Sequence, residues 1–195
     1  IKLIGDKSLS KRDFSRVTLP LSKFGAKFYY KKTNKLPLTI LGSKSVKGIE
    51  YLEDKGSAQC KSSIMLGALN ASGTTFIKAK KSRNHSELLF KYLKIPIKIR
   101  KTKKYDFIDI EKPKKIKAFN YQIPGDISSS AFFIVLTTLS TNSKLLIKDV
   151  NINSSRIGII TILKKMGAKI LLKNQRNYRG EKISDILIKS SNNLK

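Results

Sequence analysis

The sequence predicts an α/β fold built from repeated βαβαββ units, on three observations. Segments patterned as strands alternate with segments patterned as helices, which implies sheets layered against helices through crossover connections. One order of landmarks also occurs twice. Ser62-Ser63, an apolar helix, a strand ending Ile77-Lys78, the pair Ser82-Arg83, a helix and Ile97 form one unit; Ser129-Ser130, an apolar helix, Ile147-Lys148, Ser155-Arg156, a helix and Ile170 form the other. The pairs Ser82/Ser155, Arg83/Arg156, Lys91/Lys164 and Ile97/Ile170 share one offset, as an internal repeat requires. Finally, Lys23-Phe24-Gly25-Ala26-Lys27 echoes Lys165-Met166-Gly167-Ala168-Lys169, so an earlier unit, cut at the N-terminus, is expected.

Taken in order, residues 1–4 are expected to end a strand, and 5–13 to form a polar loop. Residues 15–24 carry Val17, Leu21 and Phe24 at helical spacing, and Gly25 stands where a glycine just past the last turn ends a helix. Residues 26–30, 37–41 and 48–52 read as short strands, with a charged turn at 31–35. A helix starts at Ser57, a β-rich strand occupies 74–78, and the loop 80–85 leads to a helix over 86–93. Residues 95–99 and 105–110 alternate as strands about a basic turn. A Lys- and Pro-containing connection over 111–117 leads to another strand at 118–123, and Pro124-Gly125-Asp126 then punctuates the chain. Residues 128–139 are almost wholly apolar, so this helix is expected to be buried on most sides. A strand at 144–150, a loop at 153–156, a helix at 157–166 closed by Gly167, and strands at 169–173 and 183–189 complete the pattern; the tail 190–195 reads as frayed.

The stretch from Gly56 to Ser72 organises the rest. Gly56 breaks the preceding segment and Ser57 is a preferred N-cap. The helix after it points unpaired N–H groups and its positive dipole end past Ser57, Ala58 and Gln59, which is a ready site for an anion. Lys61, one turn in, is expected to add a cation there. A phosphorylated small molecule is the ligand this chemistry favours, although a serine cap also occurs for purely structural reasons.

Composition bounds the partners. Lys and Arg number 41 against 13 acidic residues among 195, a formal charge of +28. Such an excess favours acidic partners. Yet Lys far outnumbers Arg and is spread over nearly every segment, whereas a nucleic-acid face concentrates its cations. A Lys-, Ile- and Asn-rich habit of solvated surfaces accounts for it. The single cysteine, Cys60, excludes an internal disulfide, fits a reducing compartment and reads as a small packing residue. The longest apolar run, 131–136, falls far short of the ~20 residues of a membrane span, and no signal peptide is visible. A cytoplasmic protein is expected.

Four ordered motifs carry a resemblance. Ser57-Ala-Gln-Cys-Lys-Ser62, Lys81-Ser-Arg-Asn-His-Ser-Glu87, Ile123-Pro-Gly-Asp-Ile-Ser-Ser-Ser-Ala-Phe-Phe133 and Asn153-Ser-Ser-Arg-Ile-Gly158 resemble those of the 3-phosphoshikimate 1-carboxyvinyltransferase (EPSP synthase) family, in its order and at its spacing. Lys11-Arg12 and the segment from Val17 through Gly25-Ala26-Lys27 match what precedes them in the family, so the resemblance covers nearly all of the chain. It implies an inside-out α/β barrel of βαβαββ units in two lobes, both incomplete here. Residues 1–123 would be part of the shikimate-phosphate-binding lobe and 124–195 the start of the second, with Pro124-Gly125 near a hinge.

The resemblance also implies chemistry: transfer of the enolpyruvyl group of phosphoenolpyruvate to the 5-hydroxyl of shikimate 3-phosphate, with release of phosphate and with neither a metal nor an organic cofactor. By motif match Ser57, Ala58 and Gln59 would bind shikimate 3-phosphate, Ala58 through its backbone, and Ser82 the same phosphate. Arg83 is its expected charge partner, because a guanidinium fork suits phosphate oxygens. Arg12 would bind phosphoenolpyruvate. His85 reads as a helix-start residue and Arg156 as structural. The family's catalytic acids and lysine match nothing within the chain, so no catalytic residue is assigned and this piece alone is expected to show no turnover. The full-length protein is expected to be monomeric.

Departures are present. Asp13 stands where the family usually has Pro, beside a proposed anion-binding arginine; Asn84 replaces a usual Asp, and Ser154 a usual Pro. They leave room for an inactive paralogue. Two other readings compete: an enolpyruvyl transferase acting on a UDP-sugar, which the Ser57-Ala-Gln and Ser82-Arg-Asn-His motifs disfavour, and a basic nucleic-acid-binding protein, for which no recognition module is found. Nucleic acid and membrane are therefore not expected as partners.

Overall fold

The computed structural model describes residues 1–191 and Leu194, and these form two compact units divided between Ile116 and Lys117. The first unit opens with an antiparallel sheet of β1 (Lys2–Leu3), β2 (Lys27–Tyr30) and β3 (Leu38–Leu41), in the order β1-β3-β2. A 3-10 turn, Leu9–Lys11, interrupts the expected loop. Helix α1 (Ser15–Lys23) follows, and Gly25 closes it by donating its N–H to the Ser22 carbonyl at 2.9 Å.

One complete βαβαββ module comes next: β4 (Glu50–Glu53), α2 (Ala58–Ala68), β5 (Thr74–Lys80), α3 (His85–Tyr92), β6 (Ile97–Lys101) and β7 (Tyr105–Glu111). The sheet order is β4-β5-β7-β6; β4 and β5 run parallel and the other pairs antiparallel. Period-two patterning decides its faces. Along β5, Thr75, Ile77 and Ala79 are buried, whereas Phe76, Lys78 and Lys80 are exposed. The buried face joins Ile108 and Ile110 of β7, Ile64, Met65 and Ala68 of α2, and Phe90 of α3 in one core.

The second unit holds α4 (Ile127–Leu139), β8 (Lys144–Asn151), α5 (Gly158–Lys165), β9 (Lys169–Tyr178) and β10 (Glu181–Lys189). Its antiparallel order, β8-β10-β9, repeats β5-β7-β6. The counterpart of β4 is reduced to one parallel bridge between Gly125 and Val150. The Gly125 N–H reaches the Asp149 carbonyl at 2.8 Å, and the Asn151 N–H reaches the Gly125 carbonyl at 2.9 Å.

Three expectations are corrected. Residues 118–123 are not a strand. The backbone N–H of Gln122 donates to the Tyr178 hydroxyl at 3.0 Å, and Phe119 meets Tyr121 edge-on while Tyr121 meets Tyr178 at a tilt, so aromatic packing replaces a ladder there. Helix α4 is not buried on most sides: it packs on β8 and β10 through Ile127, Ile134 and Thr138, while Phe132 (79 % exposed), Phe133, Leu136 and Leu139 stay outside. In the first unit α1 covers the equivalent helix, α2. The tail also begins in order, because the Ser190 and Ser191 N–H groups bond to the Ser143 and Thr138 carbonyls at 2.9 and 3.0 Å. The expectation for Asn192, Asn193 and Lys195 lies outside the described residues.

Strand β9 runs on to Tyr178, well beyond the expected 169–173, and β10 begins at Glu181 rather than residue 183. Arg179 (φ +50°) and Gly180 (φ +91°) make the two-residue turn whose twist matches paired strands. The polar run 173–178 hides this hairpin from a hydrophobicity pattern.

The α1–α2 contact yields a prediction with opposing terms. A Cβ on Gly67 would lie 2.8 Å from Cε2 of the buried Phe24 ring. Helix propensity favours Gly67→Ala by about 1 kcal/mol, but overpacking costs about 1–3 kcal/mol. Thermal unfolding is expected to give a lower Tm for the variant; a higher one would mean that the ring moves aside freely.

Candidate functional site

Parallel pairing of β4 with β5 sets Glu53 opposite Ala79, so the loops leaving both carboxyl ends emerge side by side. Ligand sites of α/β sheets gather at such ends. One loop leads to α2 and the other, 81–84, to α3. Their backbones are in close approach: Gly56 adopts φ +68°, and a Cβ there would lie 3.3 Å from the Lys81 carbonyl oxygen. Glycine alone takes that conformation without cost.

The first loop is braced from below. Glu53 is buried, and its Oε1 accepts the N–H groups of Lys55 (3.2 Å) and Ser57 (3.0 Å). Ser57 is the N-cap of α2, with extended backbone (φ −85°, ψ 106°) and Oγ accepting the Cys60 N–H at 3.2 Å. Capping uses an oxygen lone pair and leaves the hydroxyl proton available to a ligand. Burial, then the charge of Glu53, pushes the Cys60 thiol up, so it stays protonated and acts as a packing residue.

The second loop is held at both ends. Lys81 pairs with the buried carboxylate of Asp106. Lys61, fully buried, sends its Nζ to the Arg83 carbonyl (2.9 Å) and to Glu87 Oε1 (2.5 Å). The expectation that Lys61 offers its charge to a ligand is therefore corrected: that charge is spent inside the protein. Between these anchors the Ser82 Oγ is buried without a hydrogen-bond partner among the described residues.

A hollow of about 390 Å³ opens where the loops meet, lined by Ala58, Gln59, Ser62, Ser63, Leu66, Arg83, His85 and Ser86. Ala58, Gln59 and Arg83 are thus brought together. Ser57 and Ser82 adjoin lining residues in sequence without lining the hollow themselves. Arg12 is exposed at the end of the 3-10 turn, its N–H on the Leu9 carbonyl at 3.1 Å, and is not among the lining residues. Asp13 next to it accepts the Ser15 N–H at 2.7 Å; hydrogen bonds from the Ser15 side chain and backbone hold its carboxyl below the ordinary range, so it opens α1.

Sequence reasoning missed Glu53, Glu87 and Asp106. Their signal is scarcity: with only 13 acidic residues, an acid kept at a strand end or inside an apolar segment is informative. Among the described residues no cluster of three or more His, Cys, Asp or Glu could hold a metal ion, and no helix is long and apolar enough to cross a membrane.

The second unit shows a related arrangement with its anion built in. Asp126 caps α4, its Oδ2 accepting the Ser129 N–H at 3.1 Å. Arg156, the repeat partner of Arg83, reaches Asp126 Oδ1 at 2.7 Å and Ser128 Oγ at 2.6 Å. Burial raises the Asp126 carboxyl, but the N–H groups of Ser129 and Ser128 and the Arg156 charge outweigh it and hold it below its ordinary value. Arg156 is structural, as expected. Arg83 has no carboxylate partner among the described residues.

A family model described as EPSP synthase (3-phosphoshikimate 1-carboxyvinyltransferase) matches residues 1–191. The chain belongs to the EPSP synthase family. A relative from Thermoanaerobacter sp. (strain X514), named 3-phosphoshikimate 1-carboxyvinyltransferase, is 44 % identical over 190 residues, covering 97 % of this chain and 44 % of its own length. One of the same name from Petrotoga mobilis is 41 % identical over 191 residues. The EPSP synthase structure from Acinetobacter baumannii superimposes with TM-score 0.81 at 35 % identity, over 96 % of this chain and 42 % of that one. The chain thus spans less than half the length of these relatives. The two-lobed, inside-out α/β fold expected from the motifs is the fold of this EPSP synthase family.

Asp126 gives a pH-dependent prediction. Its carboxyl is lowered from 3.8, so its contribution is present above that value and fades as pH falls through the lower folded-state pKa. Asp126→Ala is expected to cost about 1 kcal/mol near neutral pH for the lost cap. In urea unfolding the difference from the native chain should shrink in strong acid; a constant difference would exclude the ionised cap.

Proposed function

We propose that this chain is part of an enzyme that transfers the enolpyruvyl group of phosphoenolpyruvate to the 5-hydroxyl of shikimate 3-phosphate, giving 5-enolpyruvylshikimate 3-phosphate and phosphate on the route to chorismate and the aromatic amino acids. The observation that carries the reading is the meeting of Ala58, Gln59 and Arg83 around one hollow at the start of α2. Ser57 gives its hydroxyl proton and the first turn of α2 its free N–H groups to the sugar phosphate. Gln59 takes a ring hydroxyl, Ala58 contributes backbone, and Ser82 and Arg83 close over the phosphate from the second loop. Arg12 is assigned to phosphoenolpyruvate on the motif alone. Both substrates are anionic, so these cations offset a repulsion that would otherwise keep the reactants apart. Holding two reactants in register supplies about 7–11 kcal/mol of barrier reduction in favourable cases.

The unit Ile1–Ile116 contains every one of these residues and is proposed as part of the lobe that binds shikimate 3-phosphate. The protein is assigned to the cytoplasm as a monomer when full-length, acting on small molecules without a cofactor.

Calorimetric titration of shikimate 3-phosphate into the chain tests the reading. One-to-one binding is expected, weakened about tenfold or more by Arg83→Ala, since hydrogen bonds to charged groups contribute about 1.5–3 kcal/mol, and about two- to tenfold by Gln59→Ala, whose bond to a hydroxyl is neutral and contributes about 0.5–1.5 kcal/mol. Arg12→Ala should leave this affinity unchanged and weaken phosphoenolpyruvate binding. Native affinity in the Gln59 and Arg83 variants would overturn the assignment.

A further inference from the structure

We infer that Lys61 is a positioning residue for the proposed anion site: it is the clasp that holds the Ser82–Arg83 loop against the start of α2. The inference rests on the reading of that hollow as the shikimate 3-phosphate site.

Lys61 lies one turn inside α2, and its side chain crosses to the other loop rather than to solvent. It is 0 % exposed, an extreme for a lysine. Nζ makes two contacts there: the Arg83 carbonyl oxygen at 2.9 Å and Glu87 Oε1 at 2.5 Å. The Glu87 side chain, on α3, is equally shielded, and its Oε2 has no hydrogen-bond partner among the described residues. An ion pair kept under such conditions is weak as a stabiliser, because desolvation offsets the attraction and apolar residues of like size often serve the fold as well. What apolar residues cannot replace is the bond to the Arg83 carbonyl. That bond fixes the peptide plane following Ser82–Arg83 and thereby the direction in which the guanidinium leaves the loop. Ser62 and Ser86 add a hydroxyl pair at 2.6 Å across the same two helices, so α2 and α3 are joined at two levels. Lys81, bound to Asp106, fixes the other end of the loop, and the stretch between the anchors is the one bearing Ser82 and Arg83.

Stability and positioning separate in the double variant Lys61→Met/Glu87→Met. Both charges leave together, so its Tm is expected to match that of the native chain. Two measurements then decide. In backbone NMR relaxation of the ligand-free protein, the order parameters of residues 82–84 should fall from about 0.85 toward about 0.6, with those of β5 and β7 unchanged, because the loop has lost the bond that anchors its Arg83 carbonyl. In calorimetry, shikimate 3-phosphate and inorganic phosphate should each bind about tenfold more weakly. Unchanged order at 82–84 overturns the clasp, and lost order with native affinity overturns its positioning role. If the native chain binds neither anion, the functional reading fails by itself, and the relaxation measurement alone upholds or rejects the clasp. Lys61→Met/Glu87→Gln makes the same comparison if the first variant does not fold.

Discussion

The parallel pairing of β4 and β5 is the constraint from which the rest of the site follows. Parallel neighbours need a crossover between them, and α2 is that crossover. The geometry puts the loop entering α2 and the loop leaving β5 at the same edge of the sheet, whatever their sequences. The sequence then supplies what the edge needs: a glycine at residue 56 where a side chain would crowd the Lys81 carbonyl, a serine to cap α2, and acids beneath the loops. Glu53, Asp106 and Glu87 each hold a backbone N–H or a lysine in place. Above them Arg83 lines the hollow and has no carboxylate partner among the described residues. Negative charge is therefore spent below the hollow and positive charge displayed at its rim.

How much of this the sequence discloses depends on the range of the interaction. The module β4-α2-β5-α3-β6-β7 is legible because its elements declare themselves locally: alternation along β5, a run of apolar and small residues in α2, a serine cap. The glycine and serine that mark the start of α2 are equally local. The fate of Lys61 is not, since its partners, Glu87 and the Arg83 carbonyl, arrive only when the chain has made its second crossover. Periodicity cannot see a lysine that turns inward. The same limit explains residues 118–123, where β-branched and aromatic residues promise a strand but Tyr178, far along the chain, captures the backbone. It also explains α4, whose composition states what the helix could bury and not what lies against it.

The formal charge of +28 looks different once the cations are located. Lys78 stands over Tyr105 at 4.8 Å and Arg100 over Phe107 at 4.0 Å, on the outer face of the sheet of the first unit. These contacts cover aromatic surface that single-strand readers leave open for stacking on bases. These two cations are thus engaged with rings of their own sheet, and a count of charges does not by itself compose a recognition surface.

Comparison of the two units shows what the repeat was free to change. Each places a small or acidic cap at the start of its first helix and an arginine at the equivalent position of the following loop. In the second unit the cap is Asp126 and the arginine closes on it at 2.7 Å, so the helix terminus, the carboxylate and the guanidinium satisfy one another. In the first unit the cap is Ser57, which is uncharged, and Arg83 is left without a carboxylate among the described residues. The difference amounts to one negative charge. A helix start and an arginine that the second unit balances internally are, in the first, without that charge, and on the proposed reading a phosphate group would supply it. The proposed site is thus in the unit where, among the described residues, no carboxylate caps the helix or pairs with the loop arginine, which is a stronger argument for a ligand than a capped helix terminus offers in isolation.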